Sequence, residues 1–318
     1  MRSAASASWS ERPERGSAAL VAAMAFLSLR LGWRPARLLV GPIALYYLLA
    51  APAARDASRR FLTRALGRAP SWAERFRHLR SFAHVLLDRM FLLAGRDAGF
   101  RIEVAGLDVL TGALDASAGR GALLFGSHLG SFEALRAFGR TSPVPARAAM
   151  YRANAGAYTR LMERLDPALA RETIEIGTPD TVLRMREVLA RGEMVGLLAD
   201  RLPPAGAGGR RRAISLPFLG DPAPFPAAPF LLAASLGVPA VLFFGIRTGP
   251  RAYRIEFATL SPDPARETPD ALLARYVAAL EERCRAHPFN WFNFHDVWAA
   301  APGRALPAAA GGVERPAA

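Results

Sequence analysis

The sequence predicts an α/β protein in which helices cover a mixed central sheet, with a hydrophobic, membrane-associating helical segment at the N-terminus. Two observations lead to this fold class. From about residue 100 onward, short apolar segments alternate with segments of helical spacing, which is typical of α/β sheets. Before that point, two uncharged apolar runs are bordered by arginines, a pattern that suits a membrane interface.

The first part of the chain consists of a polar tail and the two apolar runs. Residues 1–16 form the tail and carry Glu11 and Glu14, so they lack the basic start of a cleavable signal peptide. The apolar runs cover residues 17–29 and 38–54, and the second is broken by a Gly-Pro pair. The length of the second run is at the lower limit of the roughly 17 to 25 residues that span a bilayer.

Arginines border both ends of the second apolar run, which favours a membrane interface and predicts a membrane-associated helical segment over residues 17–70. A single span and a monotopic insertion both fit this pattern, and a buried helix pair within the soluble domain is the alternative. More arginines follow the run than precede it. By the positive-inside rule, the rest of the chain then lies on the cytoplasmic side of the cell inner membrane.

Short apolar segments and helical patterns alternate through the remainder of the chain. Residues 72–96 combine apolar and basic side chains at helical spacing, which predicts an amphipathic helix. Strands are predicted over residues 100–104, 121–126, 146–151, 172–176, 194–199, 214–218, 238–246 and 253–257. A closing helix is predicted over 269–284, a flexible loop over 203–212 and a disordered tail over 301–318. The main domain is therefore predicted to cover residues 71–300.

The composition limits the possible partners. The chain has a formal net charge of +14, all 41 of its Lys and Arg positions are Arg, and 52% of its residues are hydrophobic. A protein this basic is attracted to polyanions. Because the sequence has no zinc-finger spacing or RNA-recognition motif, an anionic membrane or an acidic carrier protein is favoured over nucleic acid. Cys284 is the single cysteine, so no disulfide forms within the chain, and we predict that it is a packing residue.

The segment with the strongest chemical signal is GALLFGSHLGSFEALR, residues 121–136. A buried strand is predicted to end in a turn that contains His128, and a helix is predicted to begin near Ser131, a residue type that caps helix N-termini. Positions five apart on one helix point about 140° away from each other. His128 and Glu133 can therefore meet only if the histidine lies on the turn before the helix.

His128 would then lie at the carboxyl end of a strand, where α/β sheets bind ligands. Its imidazole could act as a general base while the carboxylate of Glu133 accepts from the other ring nitrogen and fixes the tautomer. A chance proximity of the two residues, with the histidine in a local capping bond, is the alternative interpretation.

The motif His-x-x-x-x-Glu after an apolar strand, here SHLGSFE, resembles the signature of the lysophospholipid acyltransferase superfamily. The resemblance is closest to the bacterial lipid A biosynthesis acyltransferase branch, and within it to a subgroup of predicted acyltransferases. Other segments that resemble this branch are MYRAN at 150–154, GEMVGLLADR at 192–201, LPFLG at 216–220, FP at 225–226 and NWFNFHDVW at 290–298. The resemblance extends over almost the whole chain.

The resemblance implies a glycerolipid acyltransferase-like fold, a thioester of acyl carrier protein or coenzyme A as co-substrate, and neither a cofactor nor a metal. It also implies that His128 and Glu133 are catalytic. The residues predicted to bind substrate are Ser127, Arg152, Asn154, Asp200 and Arg201. From the residues alone, Arg152 could equally form a surface ion pair, and Asp200 could be a turn residue that ends a strand.

These observations predict an acyltransferase that moves a fatty acyl group to a hydroxyl or amine of a lipid, glycolipid or related acceptor. Lys is absent and no hydroxyl residue is placed as an obvious nucleophile, so direct attack without an acyl-enzyme intermediate is predicted. A non-catalytic basic protein that binds a membrane surface or a carrier, with a degenerate acyltransferase fold, is the alternative function. The arginines at 210–212 are predicted to dock an acidic carrier protein or a lipid phosphate beside the site.

Overall fold

The computed structural model of the chain describes residues 18–139, 144–151, 157–203, 213–299 and 304–305. Its helices are α1 (Ala18–Leu31), α2 (Trp33–Ala50), α3 (Pro52–Leu66), α4 (Trp72–Leu93), α5 (Leu107–Ala116), α6 (Phe132–Gly139), α7 (Ala157–Leu165), α8 (Pro167–Glu172), α9 (Thr181–Ala190), α10 (Ala228–Leu236) and α11 (Pro269–Ala286). Its strands are β1 (Arg101–Ala105), β2 (Leu123–Gly126), β3 (Ala146–Met150), β4 (Ile174–Glu175), β5 (Met194–Leu198), β6 (Ala213–Phe218), β7 (Asp221–Pro226), β8 (Ala240–Gly249), β9 (Ala252–Ser261) and β10 (Arg304–Ala305).

Seven of the strands in these residues form one central sheet, in the order β1-β9-β8-β2-β5-β3-β4. Neighbouring strands are parallel except β8 and β9, which are antiparallel, so the predicted mixed sheet is confirmed. β2 lies between β8 and β5, and Gly126 of β2 pairs with Leu198 of β5. Because β2 and β5 are parallel, the residues that follow them emerge side by side at the carboxyl edge of the sheet.

Alternate residues of β2 point into two different hydrophobic cores, as expected for a strand that is covered on both faces. Leu123 and Phe125 belong to the main core, to which α3, α9, α10 and α11 contribute. Leu124 belongs to a second core on the other face, together with Leu110 of α5 and Leu135 of α6. Cys284 is fully buried in the main core, which confirms that it is a packing residue.

The sequence does not predict β7, because its residues DPAPFP include three prolines, which lack the N–H group of a ladder. β7 is an edge strand of a small sheet with the order β10-β6-β7, formed within the described part of the chain. Alternate residues of a strand direct their N–H groups to the same side, so prolines at 222, 224 and 226 are compatible with an edge. Arg304 and Ala305 pair with β6, although the sequence predicts a disordered tail there.

The N-terminal helices pack against the domain. α2 buries residues spaced three and four apart against α4, namely Trp33, Ala36, Val40, Ala44 and Leu48. The indole N–H of Trp33 donates to the buried carboxylate of Asp88 on α4 at 2.6 Å. α3 contributes Phe61 and Leu62 to the main core. The position of α2 is therefore fixed by one buried hydrogen bond and a continuous apolar stripe.

The outward side of α1 and α2 is apolar. Its exposed large side chains, called the apolar face below, are Phe26, Leu27, Leu31, Leu38, Leu39, Leu45, Tyr46 and Leu49. Among the described residues, no helix on its own has the length and apolar character needed to cross a membrane. α2 and α3 together have the necessary length and apolar character, but the two helices are bent by 95° relative to each other.

Candidate active site

His128 lies on a turn between β2 and α6 that is clamped on both sides. The N–H of Gly130 donates to the carbonyl of Asn290, and the N–H of Ser131 donates to the carbonyl of Gly245, both at 2.8 Å. The carbonyl of His128 accepts from the N–H of Phe292 at 2.8 Å. Gly130 has a φ of +79°, and a Cβ there would lie 1.8 Å from the carbonyl oxygen of Gly245, so no other residue fits. The turn therefore holds the histidine in one position.

Asp200, the second residue after β5, is the hydrogen-bond partner of His128. Its Oδ1 lies 2.7 Å from Nδ1 of the imidazole, and its Oδ2 accepts from the backbone N–H of His128 at 3.0 Å. An ionised carboxylate only accepts, so the neutral imidazole carries its proton on Nδ1. Nε2 is then an unprotonated base, and the histidine side chain is 28% exposed.

The Asp200 carboxylate is fully buried and is supported by the segment after α11. The indole N–H of Trp291 and the side-chain amide of Asn293 each donate to Oδ2 at 3.0 Å. Arg201 supports Asn293 in turn, because its Nε donates to Asn293 Oδ1 and a terminal guanidinium nitrogen donates to the carbonyl of Phe292. These contacts leave the carboxylate little freedom to rotate away from the imidazole.

The electrostatics keep Asp200 ionised and His128 neutral. Burial opposes ionisation of Asp200, but the imidazole and Arg201 outweigh it and hold the pKa of this carboxyl below its usual range. Burial and the nearby charge of Arg201 lower the pKa of His128, and the attraction of Asp200 offsets this only in part. Burial also lowers the pKa of Arg201 to about 10, so its guanidinium is charged at neutral pH.

Glu133 is not the partner of the imidazole, which corrects the pairing expected from the sequence. Its Oε2 lies 2.7 Å from Nε of Arg89 on α4 and accepts from the hydroxyl of Ser131 at 3.3 Å. α6 begins at Phe132, as predicted, and so Glu133 lies in its first turn. The physical reason for the difference is the sheet order, because β5 adjoins β2 and delivers Asp200 to the ring nitrogen.

The family model for bacterial lipid A biosynthesis acyltransferases matches residues 9–300. The chain belongs to this family. Membership of this family makes the chain an acyltransferase that acts on lipid-related acceptors, as the resemblance predicts. A search of curated proteins finds no match to the chain.

The other predicted site residues of this acyltransferase have different outcomes. Ser127 directly precedes His128, and its buried hydroxyl has no hydrogen-bond partner among the described residues. Asp200 and Arg201 lie at the site, but as supports of His128 and Asn293. Arg152, Asn154 and the arginines 210–212 lie outside the described residues. The roles of all these residues, and of His128 and Glu133 in catalysis, stay predictions.

Sequence reasoning about the acyltransferase missed Arg89, Trp291 and Asn293. Arg89 lies on an amphipathic helix, where spacing alone does not tell which polar side chain faces the site. Trp291 has the pattern of an ordinary core residue and is fully buried, but its indole N–H also donates to Asp200. The signal that could have found Asn293 is a polar residue within the aromatic run NWFNF. No group of three or more His, Cys, Asp or Glu suited to a metal occurs among the described residues, and metal independence stays a prediction.

Proposed function

We propose that this acyltransferase moves a fatty acyl group from a thioester of acyl carrier protein or coenzyme A to a hydroxyl or amine of a lipid or glycolipid, with His128 as the general base. The observation that supports this most directly is the bond between Nδ1 of His128 and Asp200. It leaves Nε2 as an unprotonated nitrogen on a partly exposed ring. A general base needs this tautomer and this access.

In the proposed reaction, Nε2 takes the proton of the acceptor hydroxyl while the hydroxyl oxygen attacks the thioester carbonyl carbon. The new C–O bond forms as the carbonyl electron pair moves to its oxygen and gives a tetrahedral oxyanion. When the oxyanion collapses, the C=O bond is restored and the C–S bond breaks. The leaving sulfur takes the proton from the imidazolium, so His128 returns to its neutral form and no covalent bond to the protein is made.

Asp200 acts in this proposal through the imidazole. Its negative charge stabilises the imidazolium that exists while the proton is held, and its geometry keeps the proton on Nδ1. Because the donors from His128, Trp291 and Asn293 are already in place, the carboxylate does not need to reorient when the ring becomes charged.

Glu133 is proposed to act through Arg89. The charge of Arg89 is close enough to His128 to contribute to the lowering of the histidine pKa. A cation close to the imidazole would also stabilise the oxyanion that forms during transfer. The ion pair with Glu133, in which the two side chains are only 27% and 13% exposed, holds the guanidinium beside the turn. The buried hydroxyl of Ser127 is proposed as a donor to the substrate in the same place.

We also propose that the apolar face inserts into the cytoplasmic leaflet of the inner membrane. α2 has one buried side against α4 and one exposed apolar side, so it lies along the domain surface. That arrangement favours a monotopic insertion over a single span. The arginines on both flanks, from Arg30 to Arg37 and from Arg55 to Arg68, would then contact lipid phosphates.

The test is a comparison of the wild-type chain with His128→Ala. Cells expressing the wild-type chain are expected to contain acylated lipids, detected by mass spectrometry, that are missing from cells expressing equal amounts of the variant. With purified full-length protein, we expect the variant to lose about 10²-fold or more of the transfer rate, because it lacks the base. Thermal unfolding gives the folded fraction of the variant, because the substitution also removes one donor to the buried Asp200 carboxylate.

If the wild-type chain adds no acyl group to any lipid, the alternative of a non-catalytic protein that binds membranes or a carrier is supported. Transfer by His128→Ala within a few-fold of the wild-type rate would instead retain the activity and overturn the base assignment.

A further inference from the structure

A cavity of about 700 Å³ lies apart from the turn that carries His128, between α2, α4, the β8–β9 hairpin and the end of α11. Its cationic side chains are Arg37, Arg77, Arg80 and Arg247, with His84 and His287 beside them. No Asp or Glu occurs among its lining residues. We call it the arginine cavity. The arginine cavity adjoins the turn that carries His128, because Asn290 lines the cavity and its carbonyl accepts from the N–H of Gly130.

Three of the four arginines of this cavity lie against aromatic rings, whereas Nε of Arg247 lies 3.7 Å from Oδ2 of the buried Asp88. The guanidinium of Arg77 lies 4.3 Å from the ring centre of Phe289, that of Arg37 lies 5.4 Å from Trp33, and that of Arg80 lies 5.9 Å from Phe76. A ring fixes the direction of a cation but leaves its charge and most of its N–H donors available. These three arginines have no carboxylate partner among the described residues, in contrast to Arg89 at the active site.

One polar side chain of the arginine cavity, His84, has a nitrogen without a partner. Nδ1 of His84 is buried and has no hydrogen-bond partner among the described residues. Burial, followed by the charges of Arg247, Arg80 and Arg37, lowers the pKa of His84 to about 4. The three arginines therefore add a positive potential at the ring to the effect of burial, and a bound anion would reduce that potential.

We propose that the arginine cavity binds the phosphate group of an anionic lipid headgroup. A phosphate offers several oxygens to guanidinium groups that approach from different sides, which a single carboxylate cannot do. The source is a lipid, because Leu38 lines the cavity and is 73% exposed on the apolar face. A headgroup in the cavity would thus place its acyl chains next to the side of α2 that we propose lies in the membrane.

This inference goes beyond acyl transfer, because it concerns binding and requires no acyl donor. The experiment uses full-length protein in a neutral detergent and measures thermal unfolding while a short-chain lipid is added. A ligand that binds the folded state raises the unfolding temperature, and the rise grows with the logarithm of the ligand concentration above the dissociation constant. Phosphatidylglycerol is the anionic probe, phosphatidylcholine is the lipid with a neutral headgroup, and inorganic phosphate is the soluble anion.

The matched variants each remove two positive charges. Arg77→Gln with Arg80→Gln removes two exposed side chains of the arginine cavity. Arg191→Gln with Arg266→Gln is the control, since these exposed arginines lie at the opposite edge of the sheet, before β5 and beside the start of β8. We expect phosphatidylglycerol to stabilise the wild type and the control equally. The cavity variant should need about tenfold or more of the lipid for the same rise in unfolding temperature.

Three results would overturn the proposal. Equal weakening in the control variant would mean that the lipid responds only to net charge. Equal stabilisation by phosphatidylcholine would remove the role of the anionic headgroup. If inorganic phosphate stabilised the wild type at the same concentrations as phosphatidylglycerol, the cavity would be a site for the free ion and the lipid source would be wrong.

Discussion

The turn that carries His128 and the arginine cavity lie on either side of Asn290. They differ in whether their charged groups have partners within the protein. At the turn, the charged groups have internal partners: Asp200 accepts from the imidazole, from the backbone of His128, from Trp291 and from Asn293. In the cavity, aromatic rings hold Arg37, Arg77 and Arg80, Arg247 lies near the buried carboxylate of Asp88, and no acidic residue lines the space itself.

This difference separates two kinds of site. Internal partners fix the charges of the turn before a substrate arrives, so little reorganisation is needed as charge develops during a reaction. Cations without acidic partners keep their attraction for a group that comes from outside the protein. The first arrangement suits chemistry on a substrate that is released, and the second suits retention of an anion.

The largest expected effect tests whether the internal partner of the imidazole is Asp200. In Asp200→Asn, the amide can donate to Nδ1 and would then favour the proton on Nε2, and it cannot stabilise the imidazolium. We expect the transfer rate per folded protein to fall about 10²-fold or more. Glu133→Gln removes a partly buried ion pair with Arg89 and is expected to cost about tenfold or less.

Both variants should be measured as purified full-length protein, with the folded fraction taken from thermal unfolding. Glu133→Ala adds a second comparison, because truncation should not cost much more than Glu133→Gln if the charge matters only through Arg89. A larger loss in Glu133→Gln than in Asp200→Asn would mean that Glu133 orients the imidazole in the working enzyme.

The sequence predicts the central sheet and the turn that carries His128 well, because both depend on local patterns. The strand before His128, the glycines and the cap at Ser131 are all encoded within ten residues. The partner of His128 could not be predicted in this way. Asp200 is distant in the chain, and its contact requires that β5 lies next to β2, which no local spacing reveals. Glu133 is the nearest carboxylate to His128 in sequence, which is why local spacing predicts it as the partner.

A second expected effect tests whether the arginine cavity lies beside a membrane-inserted surface. Leu45→Asn with Leu49→Asn replaces two side chains of the apolar face that do not line the cavity. Each leucine that stays out of lipid forfeits up to about 1.5 to 3 kcal/mol of transfer free energy. Since both are already partly buried, we expect the membrane partition of the full-length protein to fall about tenfold, measured by flotation with vesicles.

Leu107→Asn with Leu231→Asn is the matched control, because these leucines are 43% and 41% exposed on α5 and α10, away from the apolar face. The control should float like the wild type. If it dissociates as readily as the α2 variant, the membrane contact is not confined to the apolar face, and the position of the cavity beside the bilayer loses its support.

The smallest expected effect compares two histidines whose pKa values are both lowered to about 4. The pKa of His78 is lowered by burial, and its ring nitrogens contact Ser58 and the carbonyl of Trp291. The pKa of His84 is lowered by burial and then by Arg247, Arg80 and Arg37. Both folded pKa values lie below about 6.5. The unfolded chain therefore takes up these protons first, and both histidines reduce stability as the pH falls from about 6.5 toward 4.

Salt should separate the two histidines. At about 0.15 M ionic strength the Debye length is about 8 Å, so added salt screens the exposed Arg37 and Arg80 near His84 but does not reach the fully buried His78. Ring NMR signals of the full-length protein, assigned with His78→Gln and His84→Gln, give both titrations. We expect salt or phosphatidylglycerol to raise the pKa of His84 by a fraction of a unit toward its ordinary value, while the pKa of His78 stays constant. Equal movement of both would show that the field of the arginines does not act at His84, and the distinction between the two regions would fail there.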